Sequence, residues 1–389
     1  MIPYSIYLHI PFCQKRCTYC DFNTYAGYSY LVPAYIQAMC EEIQSLVEIG
    51  GGEFRVDTLF FGGGTPSLIS TADLGRVLAS LVAGFNLNAN PEISLEANPG
   101  TLSQAYLSGL RSIGFNRLSL GVQSTHAGDL QVLGRQHDYP QVIQAVKSAR
   151  QAGFENLSLD LIFDLPGQSL AGWEQTLDLA LGLNPEHFSL YALTIEVGTL
   201  LQEWAGRGLI LPQDPDLAAE MYELAGERLA QAGYRQYEIS NWARPGYECR
   251  HNLQYWRNLP YLGFGAGAHG FAGGYRTANV RLPSEYIRRL GPNRTQAGIK
   301  FPGTPATLEM NGIDMDTEMR ETMMMGLRLT QEGVSDAAFK ARFGVSLTEK
   351  FDQETRQMVA WGLLTWSGDI LRLTPRGRLL GNRVFSEYI

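Results

Sequence analysis

Short apolar segments recur through the first half of the 389-residue chain. Each is rich in β-branched, aromatic and leucine residues, which is typical of buried strands. Between them lie longer stretches with helical apolar spacing, as at Leu74, Val77 and Leu81. Strands that alternate with helices predict parallel βαβ units. The predicted strands are Ser5–Ile10, Asp57–Gly62, Glu92–Ala97, Arg117–Val122, Leu157–Phe163 and His187–Leu193.

Six such units in succession favour an α/β fold, a partial (β/α)6 barrel of the TIM type, over a doubly wound sheet. We expect this barrel to occupy residues 1–200. The pattern then changes, because Asp214-Pro215 is a strong helix start and an aromatic, glycine-rich region follows it. Residues 201–300 are therefore predicted to extend the barrel.

The last part of the chain has a different pattern. Residues 301–313 belong to a stretch rich in Gly, Pro, Thr and Asn without a clear period, and we interpret them as a linker. Residues 314–389 have helical patterns followed by a hairpin-like segment, Leu363–Thr374, with Ser367-Gly368 at its turn. This arrangement predicts a small helical domain that resembles a winged helix.

Composition narrows the class of protein. The chain has 45% apolar and 18% charged residues and a net charge of −8, which is typical of a soluble globular protein and excludes disorder. The acidic balance argues against nucleic-acid binding, which depends on Lys and Arg. No apolar run approaches the roughly 20 residues that span a bilayer, and the first residues lack signal-peptide features. We therefore expect a cytoplasmic protein without a stable membrane span.

The strongest chemical signal is Cys13-x3-Cys17-x2-Cys20, directly after the first predicted strand. Thiolates are soft ligands for iron–sulfur clusters and for zinc, and short spacings allow one loop to wrap one centre. A closed zinc site needs a fourth ligand, which His9 or Cys40 could supply. The spacing favours a cluster with one open iron, and leaves structural zinc and unliganded cysteines as alternatives.

Polar or glycine-rich features end the other predicted strands. In parallel barrels the functional groups collect at the carboxyl ends of the strands, so we expect these residues to form one rim. Glycines allow a backbone to approach a ligand closely. The features are Gly62-Gly63-Gly64-Thr65-Pro66, Glu96, Gln123, Asp160 and Tyr191.

Several segments together resemble the radical S-adenosylmethionine (SAM) proteins related to oxygen-independent coproporphyrinogen III oxidase. The resemblance extends over essentially the whole chain, and the cysteine motif with its tyrosine is its most specific part. The segments are YLHIPFCQKRCTYCDF (Tyr7–Phe22), FFGGGTPS (Phe60–Ser67), LEANPG (Leu95–Gly100), RLSLGVQS (Arg117–Ser124), LGRQH (Leu133–His137) and LDLIFDLPGQ (Leu159–Gln168).

This resemblance implies that Cys13, Cys17 and Cys20 hold a 4Fe-4S cluster whose fourth iron takes the amino and carboxylate groups of SAM. An electron from such a cluster can cleave the sulfonium. From their charges, Glu96 could accept from the ammonium of SAM and Arg135 could pair with its carboxylate. The glycines and Thr65 would meet the methionine end through backbone groups. The implied SAM contacts are Tyr7, Gly63, Gly64, Thr65, Glu96, Gln123, Arg135 and Asp160.

Within the family, this sequence is more similar to a haem-binding branch of haem chaperones than to the decarboxylating oxidase. The oxidase continues its motif with a further cysteine where this chain has Phe22, and it has a long extension before the first strand, where only Met1–Tyr4 stand here. The segment HNLQYW matches the HNxxYW element of the haem chaperones. The alternative function is an anaerobic coproporphyrinogen III dehydrogenase. A zinc-stabilised binding module is a third hypothesis.

The HNxxYW element predicts a haem site. Imidazole is a common axial ligand of haem iron and aromatic rings suit a porphyrin face. A histidine among aromatics is also often structural, so both roles stay open for His251. The stretch Arg276–Lys300 carries a net charge of +5. It is either a solvated face of the protein or a surface that attracts the propionates of haem. The element's residues are His251, Asn252, Tyr255 and Trp256.

The same resemblance implies three partners for the chain. They are a haem acceptor protein, an electron donor such as a flavodoxin or ferredoxin, and a second copy of the chain in a homodimer.

Overall fold

The structure is a computed structural model that describes residues 3–50, 54–292 and 296–389. All the predicted strands are present and pair side by side in parallel in chain order, which confirms the α/β prediction. The strands are Tyr4–Ile10, Arg55–Gly63, Asn86–Ala97, Arg117–Gln123, Leu157–Phe163 and His187–Ala192.

Amphipathic helices cover the outer face of these strands. Their apolar stripes are buried, as Leu74, Val77 and Leu81 are, because only one face of each helix meets the sheet. Side-chain caps begin several of them; Asp138 makes a capping box with Gln141. The helices are Val32–Glu48, Thr71–Gly84, Gln104–Ser112, Ala127–Val132, Tyr139–Gln151 and Leu170–Leu181.

The region after the sixth strand adds strands to both edges of the sheet. Tyr261–Phe264 joins the first strand in parallel, and antiparallel strands continue outward from it. The sheet therefore remains open, as expected of a partial barrel. The added strands are Arg235–Glu238, Asn241–Ala243, Tyr261–Phe264, His269–Ala272, Tyr275–Asn279 and Thr307–Gly312, and the helices are Leu200–Gly206, Pro215–Gln231, Arg250–Trp256 and Pro283–Arg289.

The linker prediction for residues 301–313 is wrong in its second half. Thr307–Gly312 is the outermost strand of the main sheet and pairs with Tyr275–Asn279. An edge strand that is half-exposed on both faces has no alternation of apolar residues, so its sequence does not differ from that of a loop. By contrast, Asp214 caps the helix Pro215–Gln231 as predicted.

The last part of the chain forms a small helical region with its own apolar core around Met323, Leu327 and Phe351. A three-stranded sheet combines Val334–Ser335 with the predicted hairpin, in which Gly368 has a φ of +65° at the turn. No helix in the described residues is long and apolar enough to cross a membrane. The other elements are the helices Met315–Gly326, Asp336–Phe343, Leu347–Lys350, Asp352–Ala360, Pro375–Leu379 and Gly381–Phe385, and the strands Leu364–Ser367 and Ile370–Leu373.

Candidate cofactor site

A cavity of about 390 Å³ lies at the carboxyl ends of the parallel strands; we call it the thiol cavity. The cysteine loop folds over the strand ends because Thr18 N–H donates to Leu133 O and Cys20 N–H donates to Cys17 O. Eleven residues predicted from the sequence line this one cavity. They are Cys13, Cys17, Cys20, Gly63, Gly64, Thr65, Glu96, Gln123, Arg135, Asp160 and Tyr191.

The three thiols fit an open iron–sulfur cluster better than closed zinc. Both ring nitrogens of His9 are hydrogen-bonded, to Tyr7 Oη at 3.0 Å and to Asn23 O at 2.9 Å, and Cys40 packs against the core from a helix. Neither is therefore free to be a fourth ligand. Within the described residues, no three His, Cys, Asp or Glu side chains converge on a single-ion site. A cluster, by contrast, binds each cysteine at a separate iron.

Polar groups donate hydrogen bonds to two of the three thiols. Thr65 Oγ1 donates to Cys13 Sγ at 3.6 Å, and Arg135 Nη1 donates to Cys17 Sγ at 3.6 Å. Burial raises the pKa of Cys13, so binding of a metal centre to its thiolate would displace a proton.

The glycine-rich turn after the second strand packs against the cysteine loop. Gly63 has a φ of +114°, and a Cβ there would lie 2.5 Å from the His9 ring. The N–H groups of Gly63, Gly64 and Thr65 donate to Glu96 Oε2, Ile10 O and Phe12 O at 2.8–2.9 Å. These N–H groups are therefore already paired. For the carbonyl groups of this turn, the expected contact with the methionine end stays a prediction.

Two half-buried carboxyl groups line the thiol cavity. Burial raises the pKa of Glu96 to about 7, against the effect of the Gly63 N–H, and the negative charge of Asp160 adds to the rise. Burial also raises the pKa of Asp160, although the hydroxyls of Ser119 and Ser158 donate to it at 2.9 and 3.1 Å. Such perturbed groups in a cavity are typical of a functional site.

The guanidinium of Arg135 lies in the wall of the thiol cavity. Its Nη2 donates to Asn98 Oδ1 at 2.5 Å and to Gly121 O at 2.6 Å. Gln123 has a φ of +67°, a conformation that non-glycine residues rarely adopt and that often occurs at functional sites. Asn98, which we did not predict, follows Glu96 and Ala97 within the LEANPG segment, so its place after a strand end was a usable signal.

A second cavity of about 620 Å³ adjoins the first; we call it the tyrosine cavity. Tyr7, Tyr255 and Tyr261 line it, and the two cavities share Phe22, Gly63 and Glu96 in their walls. Tyr7, predicted from the resemblance as a SAM contact, lines this cavity and not the thiol cavity.

The HNxxYW element forms the helix Arg250–Trp256, and its histidine has structural partners. His251 is 1% exposed; its Nδ1 lies 2.7 Å from Thr58 Oγ1, and its Nε2 lies 2.9 Å from Tyr255 Oη. Thr58 donates its own hydroxyl hydrogen to Ser5, so Nδ1 carries the proton and Nε2 accepts from Tyr255. Burial lowers the pKa of His251 to about 3. The geometry therefore favours the structural role.

The other members of the element do not gather in one place. Asn252 lines an inner cavity of about 230 Å³ together with His251 and Tyr255. Trp256 lies under the Arg328 guanidinium at 5.2 Å and is absent from the described lining of the tyrosine cavity. Only Tyr255 reaches that cavity.

Three of the six basic residues of the stretch Arg276–Lys300 are paired. Arg276 binds Glu321, while Arg288 and Arg289 both bind Glu285. Arg294, which the prediction included, lies outside the described residues.

Residues 7–180 match the model of the radical SAM superfamily, and residues 313–380 match the HemN C-terminal domain. The chain is 38% identical to the haem chaperone HemW of Bacillus subtilis (strain 168), over 99% of both chains. It is 36% identical to HemW of Escherichia coli (strain K12), over 100% of this chain and 98% of that one.

Comparison with solved structures agrees at the level of the fold. Coproporphyrinogen III oxidase (HemN) from Escherichia coli has a TM-score of 0.83 and 24% sequence identity, over 100% of this chain and 90% of that one. At this identity the likeness shows the shared fold alone.

Proposed function

Because the chain belongs to the HemW family of radical SAM proteins, we propose that it binds haem and passes it to an acceptor protein. The observation that carries this proposal is the tyrosine cavity. Its volume of about 620 Å³ is within the roughly 300–1,000 Å³ of ligand pockets, and three tyrosine rings offer flat surfaces to a porphyrin. The cavity also adjoins the thiol cavity, so a bound porphyrin would lie beside the cofactors.

The thiol cavity supports the binding of a 4Fe-4S cluster and SAM. Cys13, Cys17 and Cys20 would hold the cluster, which supplies an electron for cleavage of the sulfonium of SAM when both are bound. Glu96 can hold an ammonium once it is ionised, and Arg135 can meet a carboxylate. Gln123 and Asp160 supply further polar groups on the same wall.

The cofactors imply partners and a compartment. Reduction of the cluster requires an electron donor, for which a flavodoxin or ferredoxin is the expected class. We expect a homodimer as the assembly. Five free cysteines suit a reducing compartment, which supports a cytoplasmic location.

Two assays test this proposal on protein purified without oxygen, with its cluster intact. Haemin titrated into the protein should bind with a defined stoichiometry, and the loaded protein should lose haem to an added haem-free acceptor. Coproporphyrinogen III incubated with SAM and a reductant should not give protoporphyrinogen. Appearance of that product would establish the dehydrogenase alternative, and the absence of haem binding would remove the chaperone assignment.

A further inference from the structure

The six histidines of the chain differ in how far they are available to a ligand. His9, His187 and His251 use both ring nitrogens in hydrogen bonds. His126 and His137 each hold a backbone carbonyl through Nε2. His269 is exposed, and neither of its ring nitrogens has a hydrogen-bond partner among the described residues. An axial ligand needs a free lone pair, which His269 has and His251 lacks.

His269 also lies where a porphyrin could reach it. It begins the strand His269–Ala272 and lines the tyrosine cavity with Tyr7, Tyr255 and Tyr261. The rings of Tyr255 and Tyr261 meet edge-to-face at 4.6 Å and together form one wall of the cavity. A flat macrocycle against this wall would have the imidazole of His269 within the same cavity.

Glycine at position 263 brings the His269 strand close to the barrel. Gly263 pairs with Tyr7 in the parallel register, and a Cβ at Gly263 would overlap the carbonyl oxygen of His269. Likewise, a Cβ at Gly265 would lie 2.5 Å from His9 O. The glycines of the segment GFGAGAHG thus allow close packing of the backbone, and this packing places the imidazole of His269 at the cavity.

The charge of the cavity suits the propionates of haem. Arg281 is exposed, lines the cavity, and has no ion pair or side-chain hydrogen bond among the described residues. Nearby on the chain, Arg288 and Arg289 are neutralised by Glu285. The cavity's carboxylates are Glu96, which accepts from Gly63 N–H, and Glu309. Arg281 is therefore the guanidinium that a carboxylate of the ligand can meet there.

We propose that His269 is the axial ligand of haem in the tyrosine cavity and that Arg281 binds a haem propionate, an inference that rests on the haem-binding function proposed above. The imidazole donates a nitrogen lone pair to iron without a change of oxidation state. In this arrangement His251 acts as a positioning residue, because it holds the hydroxyl of Tyr255 and so fixes one wall.

Haemin titration of cluster-loaded wild type, His269→Ala and His251→Ala tests the ligand. Optical difference spectra remove the cluster's absorption, and electron paramagnetic resonance reports the ligand field of the haem iron. We expect the imidazole signature in wild type and His251→Ala, its loss in His269→Ala, and its return when free imidazole is added to His269→Ala. Because His269 is exposed, the variant should fold normally.

The outcomes separate the two proposals. If His269→Ala keeps the imidazole signature, or wild-type haem never shows it, the ligand assignment is wrong while haem binding stands. If wild type binds no haemin, the function itself fails. For the propionate, Arg281→Gln should bind haem more weakly with unchanged iron ligation, whereas Arg288→Gln, a matched exposed arginine paired with Glu285, should bind as wild type. Equal affinities would overturn the role of Arg281.

Discussion

The thiol cavity and the tyrosine cavity share a wall but are built in different ways. The first collects short motifs at the ends of consecutive strands, so that each polar residue reaches the rim by the parallel topology alone. The second combines the first strand, an added edge of the sheet and the helix Arg250–Trp256. A motif therefore identifies a site reliably when the loop or strand end that contains its residues itself lines the cavity.

The two named motifs illustrate the contrast. In the cysteine motif, three side chains in one loop face one cavity. In HNxxYW, the histidine is buried while Tyr255 lines the cavity. Residues four apart on a helix lie on the same side, so the two side chains can bond to each other. The HNxxYW motif therefore contributes Tyr255 to a wall of the tyrosine cavity, whereas its histidine, His251, has a structural role.

The largest expected effect is on the thiol cavity. Cys17→Ala should abolish the cluster, because one loop then supplies too few thiolates to hold it. Iron and sulfide analysis of anaerobically purified protein should show near-background content, with loss of the brown colour. Cys40→Ala is the matched control and should keep a full cluster. Loss of the cluster in that control would mean that Cys40 is a ligand and would break the distinction between motif and core cysteines.

The next effect concerns stability and not ligation. His251→Ala should lower the free energy of unfolding by about 2–3 kcal/mol, because a buried ring and two hydrogen bonds are removed and the Tyr255 hydroxyl loses its partner. Denaturant titration measures this loss. His269→Ala should change stability by less than about 0.5 kcal/mol, as is usual for exposed positions. Similar losses in both variants would contradict the structural assignment of His251.

The pH dependence of this loss sharpens the same assignment. The folded pKa of His251 is about 3, and its unfolded value is near 6.5, so the unfolded state alone binds the proton between these values. The stability supplied by the wild-type histidine therefore falls as the pH drops below 6.5, by up to about 1.4 kcal/mol per pH unit. The difference between wild type and His251→Ala should shrink accordingly at pH 5.

A feature could be predicted from the sequence when the residues that signal it are close together along the chain. The strands were predictable because each is a short apolar segment between helices. The residues of the thiol cavity were predictable because they end those strands. Thr307–Gly312 was not, because it is itself an edge strand without apolar alternation, and it pairs with Tyr275–Asn279 across the loop between them. Nor was the proposed role of His269 predictable. That role depends on the exposure of its side chain on a strand that packs closely against Gly263, which is a property of the tertiary structure.

Glu96, in the shared wall, should show a smaller effect on SAM binding. Its pKa of about 7 means that the carboxylate form, which can hold an ammonium, is lost as the pH falls below 7. We expect the affinity of cluster-loaded protein for SAM to fall about tenfold between pH 8 and pH 6. In Glu96→Gln this pH dependence should disappear. Both proteins bind the same ligand, so any titration of SAM itself cancels when their profiles are compared. An unchanged pH profile in the variant would exclude Glu96 as the titrating group.

The smallest expected effect tests the bond that connects the HNxxYW helix to the tyrosine cavity. Tyr255→Phe removes the hydroxyl that donates to His251 Nε2 and leaves a buried nitrogen unpaired, which should cost about 1 kcal/mol of unfolding free energy. Tyr261→Phe is the matched control, since Tyr261 lines the same cavity and its hydroxyl has no hydrogen bond among the described residues. Chemical denaturation should separate the two variants, and haemin affinity should fall more in Tyr255→Phe because its ring is then less firmly held. If both variants behave alike, the helix is fixed by packing and His251 has no part in shaping the cavity.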